Sequence, residues 1–457
     1  MIATRHPLPV VSLAMILIAI SVGKCCYGQS ATTLDPYLLT FADFEWMTTE
    51  TITPLEGATA IGKQLPVDQS IELFESRVRE LPGDCGSKLI LSELYATYAK
   101  EQDNHEYYRK SELLCREALK LQPDSSSAML ALARAVMSNH GFAEALQLAQ
   151  QALSGNPKSP HGLATQFDAL LELGRYSEAQ VSLTSLLAVE ESAPVLARKA
   201  RLGEVMGRSA EAIQLLKDCV VLDAESVWYR WRLGAVLFNE GRISEALEVL
   251  KSADRIQTDD MQINLTMAKC YFVLGDNARC KHILEQVVVT HAEPPALSLL
   301  GDLLLVMNEQ EAGRKYLDKA EEIMEQEAKV AGAAHAREFA MCLADHGTNC
   351  DRAVQLAKAD KLLRQDLFTF DTLAWAYLKL GDLENAKANI VRVNAHDVAD
   401  PSVYFHSAMI YDAVGESELA ASYWDKLAKS NPRFSVIHSK TIAERLSNIR
   451  IGKNSGE

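Results

Sequence analysis

Residues 227–250 read VWYRWRLGAVLFNEGRISEALEVL, and this stretch decides the fold. An apolar run of helical period, with Leu233 and Leu237, leads up to Gly241, and a second run follows it through Ala246, Leu250 and Ala253. A glycine between two such runs reads as the turn of a helical hairpin. Gly234 on the first helix and Ala246 on the second are small enough to let the two backbones come close. Leu250 is large enough to fill the contact with a neighbouring unit.

Outward from this stretch the same offsets recur. Gly174, Gly207, Gly241 and Gly275 are spaced by 33, 34 and 34 residues, and Ala179, Ala212, Ala246 and Cys280 follow them. Two further pairs are Gly381 with Ala386 and Gly415 with Ala420. The best single copy runs through Tyr404, Ser407, Ala408, Tyr411, Gly415, Ala420, Trp424, Leu427 and Pro432. This pattern resembles the tetratricopeptide repeat family, in which each unit is a pair of antiparallel helices. One hairpin cannot bury its apolar side alone, so stacking is obligatory. The expected fold is therefore all-α, an alpha-alpha superhelix built as a solenoid of hairpins.

Residues 1–30 differ from the rest. Arg5 and His6 precede the apolar run from Leu8 to Ile20, and small residues lie near Gly28 to Ala31. This reads as a signal peptide, with a signal anchor as the alternative. Residues 31–87 are irregular, with one or two helices, among them Gln69 to Glu80. Residues 88–327 form an N-terminal repeat array, 328–367 an irregular helical hairpin, 368–434 a C-terminal repeat pair, and 435–457 a capping helix and tail. From Ala328 onward AMCLADHGTN, FDTLAWAYLKLGD, YFHSAMIYDAVGE and NPRFS resemble the C-terminal part of exported bacterial tetratricopeptide proteins of unassigned role. That resemblance implies export to the periplasm, envelope or exterior.

The chain carries 61 acidic against 46 basic residues, a net charge of −15, with no basic cluster. Phosphate backbones need clustered Lys and Arg, so no nucleic-acid partner is expected. A membrane contact is expected only through the N-terminal segment, if it stays uncleaved. Of nine cysteines, Cys219 and Cys280 fall at small-residue packing positions. Cys342 and Cys350 flank a turn and are candidates for a bridge in an oxidising compartment.

Neither a nucleophile elbow, a zincin motif nor a phosphate-binding loop is present. His335 and His346 are too far apart on a helix for one metal ion, and His161 with Asp168 reads as surface. No catalytic residue, metal or cofactor is assigned. The resemblance implies a concave face lined by fixed positions of each first helix. Here they select Trp228, Trp231, Phe238, Asn239, Lys269 and Phe272, and secondarily Phe368, Trp375, Phe405 and Met409. Large aromatics off the hairpin stripe read either as anchors for a peptide or as packing against the adjoining repeat. The family's basic clamp for a C-terminal carboxylate has no counterpart, since the fifth positions hold no basic residue. The expected role is a non-catalytic scaffold or adaptor binding a protein or peptide in an exported bacterial complex. The alternative is an accessory subunit of a separate envelope polymer-assembly enzyme.

Overall fold

The computed structural model describes residues 66–102, 105–331, 333 and 335–454. The signal segment and most of the irregular N-terminal stretch lie outside these residues. Among the described residues there are 22 helices and no strand. α1 (Val67–Glu80) stands alone and ten hairpins follow. They are α2 (Cys85–Gln102) with α3 (His105–Leu121), α4 (Ser126–Ser138) with α5 (Phe142–Gly155), and α6 (Pro160–Glu172) with α7 (Tyr176–Leu187). Next come α8 (Ala193–Val205) with α9 (Ser209–Leu222), α10 (Val227–Asn239) with α11 (Ile243–Asp254), and α12 (Met261–Val273) with α13 (Asn277–Thr290). The last four are α14 (Pro294–Val306) with α15 (Gln310–Ala331), α16 (Ala336–His346) with α17 (Cys350–Leu363), α18 (Leu367–Leu380) with α19 (Leu383–Val393), and α20 (Pro401–Ala413) with α21 (Ser417–Lys429). α22 (Ser439–Asn454) ends the order.

Local chemistry sets the helix boundaries. The hydroxyls of Ser125, Ser159 and Ser226 and the carboxylate of Asp260 accept N–H groups at the starts of α4, α6, α10 and α12, satisfying donors that have no partner within the helix. Proline opens α6, α8, α14 and α20, where its missing N–H costs nothing. Seven turn glycines have positive φ, from 64° to 87°: the six spaced along the sequence and Gly347. Where the glycine is missing, His140 (φ 59°) and Asn308 (φ 66°) take the same left-handed turn. The turn geometry is thus kept even where its usual residue is not.

Within hairpins the backbones approach as the small residues require. A Cβ on Gly234 would lie 2.7 Å from Leu250. In α14 and α15, Gly301 and Gly313 sit back to back, and a Cβ on Gly313 would meet the Gly301 carbonyl at 2.8 Å. One apolar core runs from Cys85 to Ile442. α1 adds a smaller cluster of Ile71 and Phe74 against Ile90, Leu91 and Tyr95.

Curvature follows from which helices crowd. Successive first helices touch: α2 with α4, α4 with α6, α6 with α8, α10 with α12, α12 with α14, α16 with α18, and α18 with α20. Second helices make no comparable contact with one another. The first helices therefore form the inner wall and the second helices the outer one.

The wall does not stay open. Tyr176 and Leu367, 191 residues apart, are joined by a hydrogen bond from the Leu367 N–H to the tyrosine hydroxyl, 2.8 Å. The Gln365 N–H donates to the Glu172 carbonyl (3.2 Å), and the Ala399 N–H to the Glu204 carbonyl (3.4 Å). The Asn431 amide donates to the Phe238 carbonyl (2.9 Å), and Arg433 to the Phe272 carbonyl (3.1 Å). The solenoid thus completes a turn and its later repeats rest on its earlier ones.

Gly234→Leu drives a side chain into Leu250, which is fully buried, and overpacking of this kind costs about 1–3 kcal/mol. Urea titration should show that loss. Combined with Leu250→Ala, the loss should be smaller than the sum of the two single effects, because the new leucine fills the cavity. Strict additivity would mean that the two positions do not share the crossing.

Candidate binding surface on the inner wall

The ten residues selected from the sequence divide by exposure. Trp231, Phe238, Phe272, Phe368, Trp375 and Phe405 are buried, Trp231 at 8% being the most exposed of them. Trp231 lies against the next first helix and donates from Nε1 to Thr266 Oγ1, 3.3 Å. Phe272 lies under the Arg433 guanidinium and Phe368 under that of Arg201. Trp375 stacks on His406 at 4.3 Å and donates to Asp345 Oδ1 at 2.8 Å. Phe405 meets Trp424, Phe434 and His438. For these six, packing within the fold accounts for the side chain. Trp228, Asn239, Lys269 and Met409 are only partly buried. Asn239 donates to Asp400 Oδ2 at 3.3 Å. Burial lowers the Lys269 pKa, while the charges of Asp400 and Asp302 work against that shift.

The sequence reading missed what dominates this wall, a series of ion pairs between consecutive first helices. Arg134 on α4 reaches Glu93 on α2 (3.4 Å), Arg198 on α8 reaches Asp168 on α6 (2.8 Å), and Arg232 on α10 reaches Glu204 on α8 (2.8 Å). His346 at the end of α16 meets Asp302 on α14, and His406 on α20 meets Asp371 on α18, each at 2.8 Å. Arg337 on α16 holds Asp366, the N-cap of α18, at 2.9 Å, and Asp360 at 3.2 Å. His438, just ahead of α22, bonds Asp345 on α16 at 2.8 Å. A signal was available: opposite charges recur about one repeat apart on the face beside the apolar stripe.

Two placements correct the sequence reading. Asp168 is not on the surface but 5% exposed, and both of its oxygens accept from Arg198. His161 is half-buried, and burial together with the charges of Arg134 and Arg198 pushes its pKa down to about 4, so it is neutral. His335 and His346 go to different neighbours: the His335 ring lies edge-on to His140, and His346 bonds Asp302. Cys342 and Cys350 are unbridged, with the Cys342 thiol 3.7 Å from His346 Nδ1. Cys219 and Cys280 are fully buried. Burial pushes the thiols of Cys115, Cys270 and Cys280 up to about 12, which removes the thiolate needed for reactivity. Among the described residues no group of three or more His, Cys, Asp or Glu is arranged to hold a metal ion, and no helix is long and apolar enough to cross a membrane.

In two of the histidine pairs the carboxylate favours the protonated imidazole. Burial opposes protonation of His346, but its bonds to Asp302 and Cys342 outweigh it and raise the pKa to about 11. Burial also opposes protonation of His406, and the Asp371 charge overrides it. Asp345 is held below its usual range despite burial, by the bond and charge of His438 and by the charge of His406.

Removing one partner of a buried pair leaves the other charge stranded. Arg198→Met should cost about 3–5 kcal/mol in urea titration, and Arg198→Met with Asp168→Leu should recover most of it. His346 gives a pH signature. Its folded pKa lies above the unfolded value of 6.5, so its contribution is complete below pH 6.5 and is lost as pH rises through about 11. Urea titrations from pH 6 upward should show stability falling in the wild type and a flatter profile in His346→Gln. Parallel profiles would refute the assignment.

Family models described as tetratricopeptide repeat match residues 104–160, 237–303 and 370–393. No curated protein matches the chain by sequence. Solved structures similar to it include YrrB, described as a TPR protein with an unusual peptide-binding site, at 15% identity and a TM-score of 0.30, covering 39% of this chain and 92% of that one. PilF of Pseudomonas aeruginosa aligns at 17% identity and a TM-score of 0.35, covering 44% and 92%. A human IFIT1 dimer with m7Gppp-AAAA aligns at 14% identity and a TM-score of 0.48, covering 77% and 84%. Paired hairpins, no strand among the described residues and three matched repeat segments make the fold a tetratricopeptide-type solenoid.

Proposed function

We propose that this chain is a non-catalytic scaffold of an exported or envelope-associated bacterial complex, holding an extended polypeptide against its inner wall. The observation that carries the reading is the wall itself: a face of first helices on which six of the ten selected side chains are packed, the charged groups are paired, and Trp228, Asn239, Lys269 and Met409 stay partly exposed. An amphipathic helix needs an apolar groove, whereas an extended chain binds through main-chain and polar contacts. Trp228, Asn239, Lys269 and Met409 are the contact residues in this reading, because they lie on first helices and are only partly buried. The exported setting rests on the N-terminal segment and on the C-terminal resemblance.

A photo-crosslinking residue placed at Lys269 or Met409, compared with one at Val221 or Val289, tests it. The last two are 80% and 82% exposed on second helices of the outer wall. Each variant, with helical content checked by circular dichroism, is incubated with envelope extract from the source cell. Adducts with one discrete polypeptide from the inner positions alone are expected. Adducts from the outer positions alone, or equally from both, would refute the inner-wall assignment.

A further inference from the structure

We infer that the contact closing the superhelical turn is a latch, a seam that opens while the helical stack stays folded and so gates the inner wall. The inference rests on the seam's own geometry and holds whether or not a polypeptide binds inside.

The seam joins helix ends. Glu172, Glu204, Phe238 and Phe272 lie in the last turns of α6, α8, α10 and α12, where carbonyls lack partners within the helix; those of Glu204, Phe238 and Phe272 also accept from the turn glycines Gly207, Gly241 and Gly275. Their oxygens accept from Gln365, Ala399, Asn431 and Arg433. These donors come from the loops ahead of α18, α20 and α22. Conversely, the Leu367 N–H, an orphan donor at the start of α18, goes to the Tyr176 hydroxyl at the start of α7. The negative ends of α6 and α8 thus meet the chain entering the positive ends of α18 and α20, a favourable arrangement of dipoles.

Three turn glycines make this approach possible. A Cβ on Gly174, Gly207 or Gly241 would overlap the carbonyl oxygen of Gln365, Asp397 or Ser430 respectively. Gly275, Gly381 and Gly415 occupy the same place in their hairpins with the same positive φ, yet a Cβ there would meet nothing within 4 Å. Two demands on glycine are therefore separable: all six serve a turn, and three also admit the second arc.

The seam differs in kind from the stack. Extensive helix–helix contacts among the described residues run only between elements adjacent or next-adjacent in the chain. No helix of the first turn lies along a helix of the second. Across the seam the contacts are single hydrogen bonds, the Arg364 guanidinium on His140 Nδ1 (3.0 Å), and ring contacts such as Tyr176 on His396 (4.9 Å). Several of these side chains are buried, Arg364, Asn431 and Tyr176 among them, but no apolar helix face interdigitates across the seam, and such a contact opens at lower free energy than the stack.

Native-state hydrogen exchange on the full chain reads the latch directly. In the wild type, the amides of Leu367 and Ala399 should exchange at least about tenfold faster than mid-helix amides of α8 and α18. Gly174→Ala, Gly207→Ala and Gly241→Ala combined should speed the seam amides further and enlarge the radius of gyration in X-ray scattering, with helical content kept. Gly275→Ala, Gly381→Ala and Gly415→Ala combined impose the same turn strain and should leave both readings unchanged. The latch is refuted if wild-type seam amides exchange with the mid-helix amides, if the two triple variants behave alike, or if only the first fails to fold. Should both fail to fold, the wild-type exchange pattern decides.

Discussion

Two helices can cross this closely only where one of them presents almost no side chain. Gly234 under Leu250, and Gly301 against Gly313, are the sharpest instances, and Ala246 and Ala420 serve the same end with a methyl group that is buried. The close crossing leaves first helices crowded on one side of the stack and second helices splayed on the other. Repeated at an almost constant period, a fixed tilt per hairpin must bend the array into a superhelix. The inner wall, its ion pairs and the closing seam are consequences of that one steric allowance.

The inner wall then faces a problem of its own. First helices buried on both flanks cannot point solvated charges into a closing interior without partners. The chain answers by pairing across repeats: Asp168 with Arg198, Glu204 with Arg232, Asp302 with His346, Asp371 with His406. Buried pairs of this kind add little net stability over an apolar contact of the same shape, but a misaligned pair is strongly penalised. They therefore penalise any arrangement of neighbouring repeats that would part the two charges. The wall is polar for a structural reason, and any polypeptide held there meets a surface whose charges are mostly already engaged.

The hairpin architecture was legible because it is local. A glycine or a tolerant substitute at each turn, an alanine after it and a leucine at the crossing are all read within one repeat. Even the turns at His140 and Asn308, which lack glycine, keep a backbone that the neighbouring pattern implies. The inner wall was only half legible. Position along a first helix identifies which residues face inward, but not whether the inward face is free. Trp231 and Phe238 satisfy every local criterion for an anchor and are nevertheless buried. Asp168 looks like a surface carboxylate until Arg198, 30 residues on, is set beside it. The seam was not legible at all, because its partners lie 191 and 193 residues apart and share no motif.

Why the second arc meets the first in register is a question about the middle of the chain. Between the two edges of the seam lies α15, at 22 residues the longest of the described helices. A uniform array would arrive at its own first turn with whatever phase the repeat period dictates. Here Gln365, Asp397 and Ser430 fall against Gly174, Gly207 and Gly241 in succession. The three contacts are spaced by 33 and 34 residues along the first arc and by 32 and 33 along the second, so the two arcs keep step to within one residue per repeat.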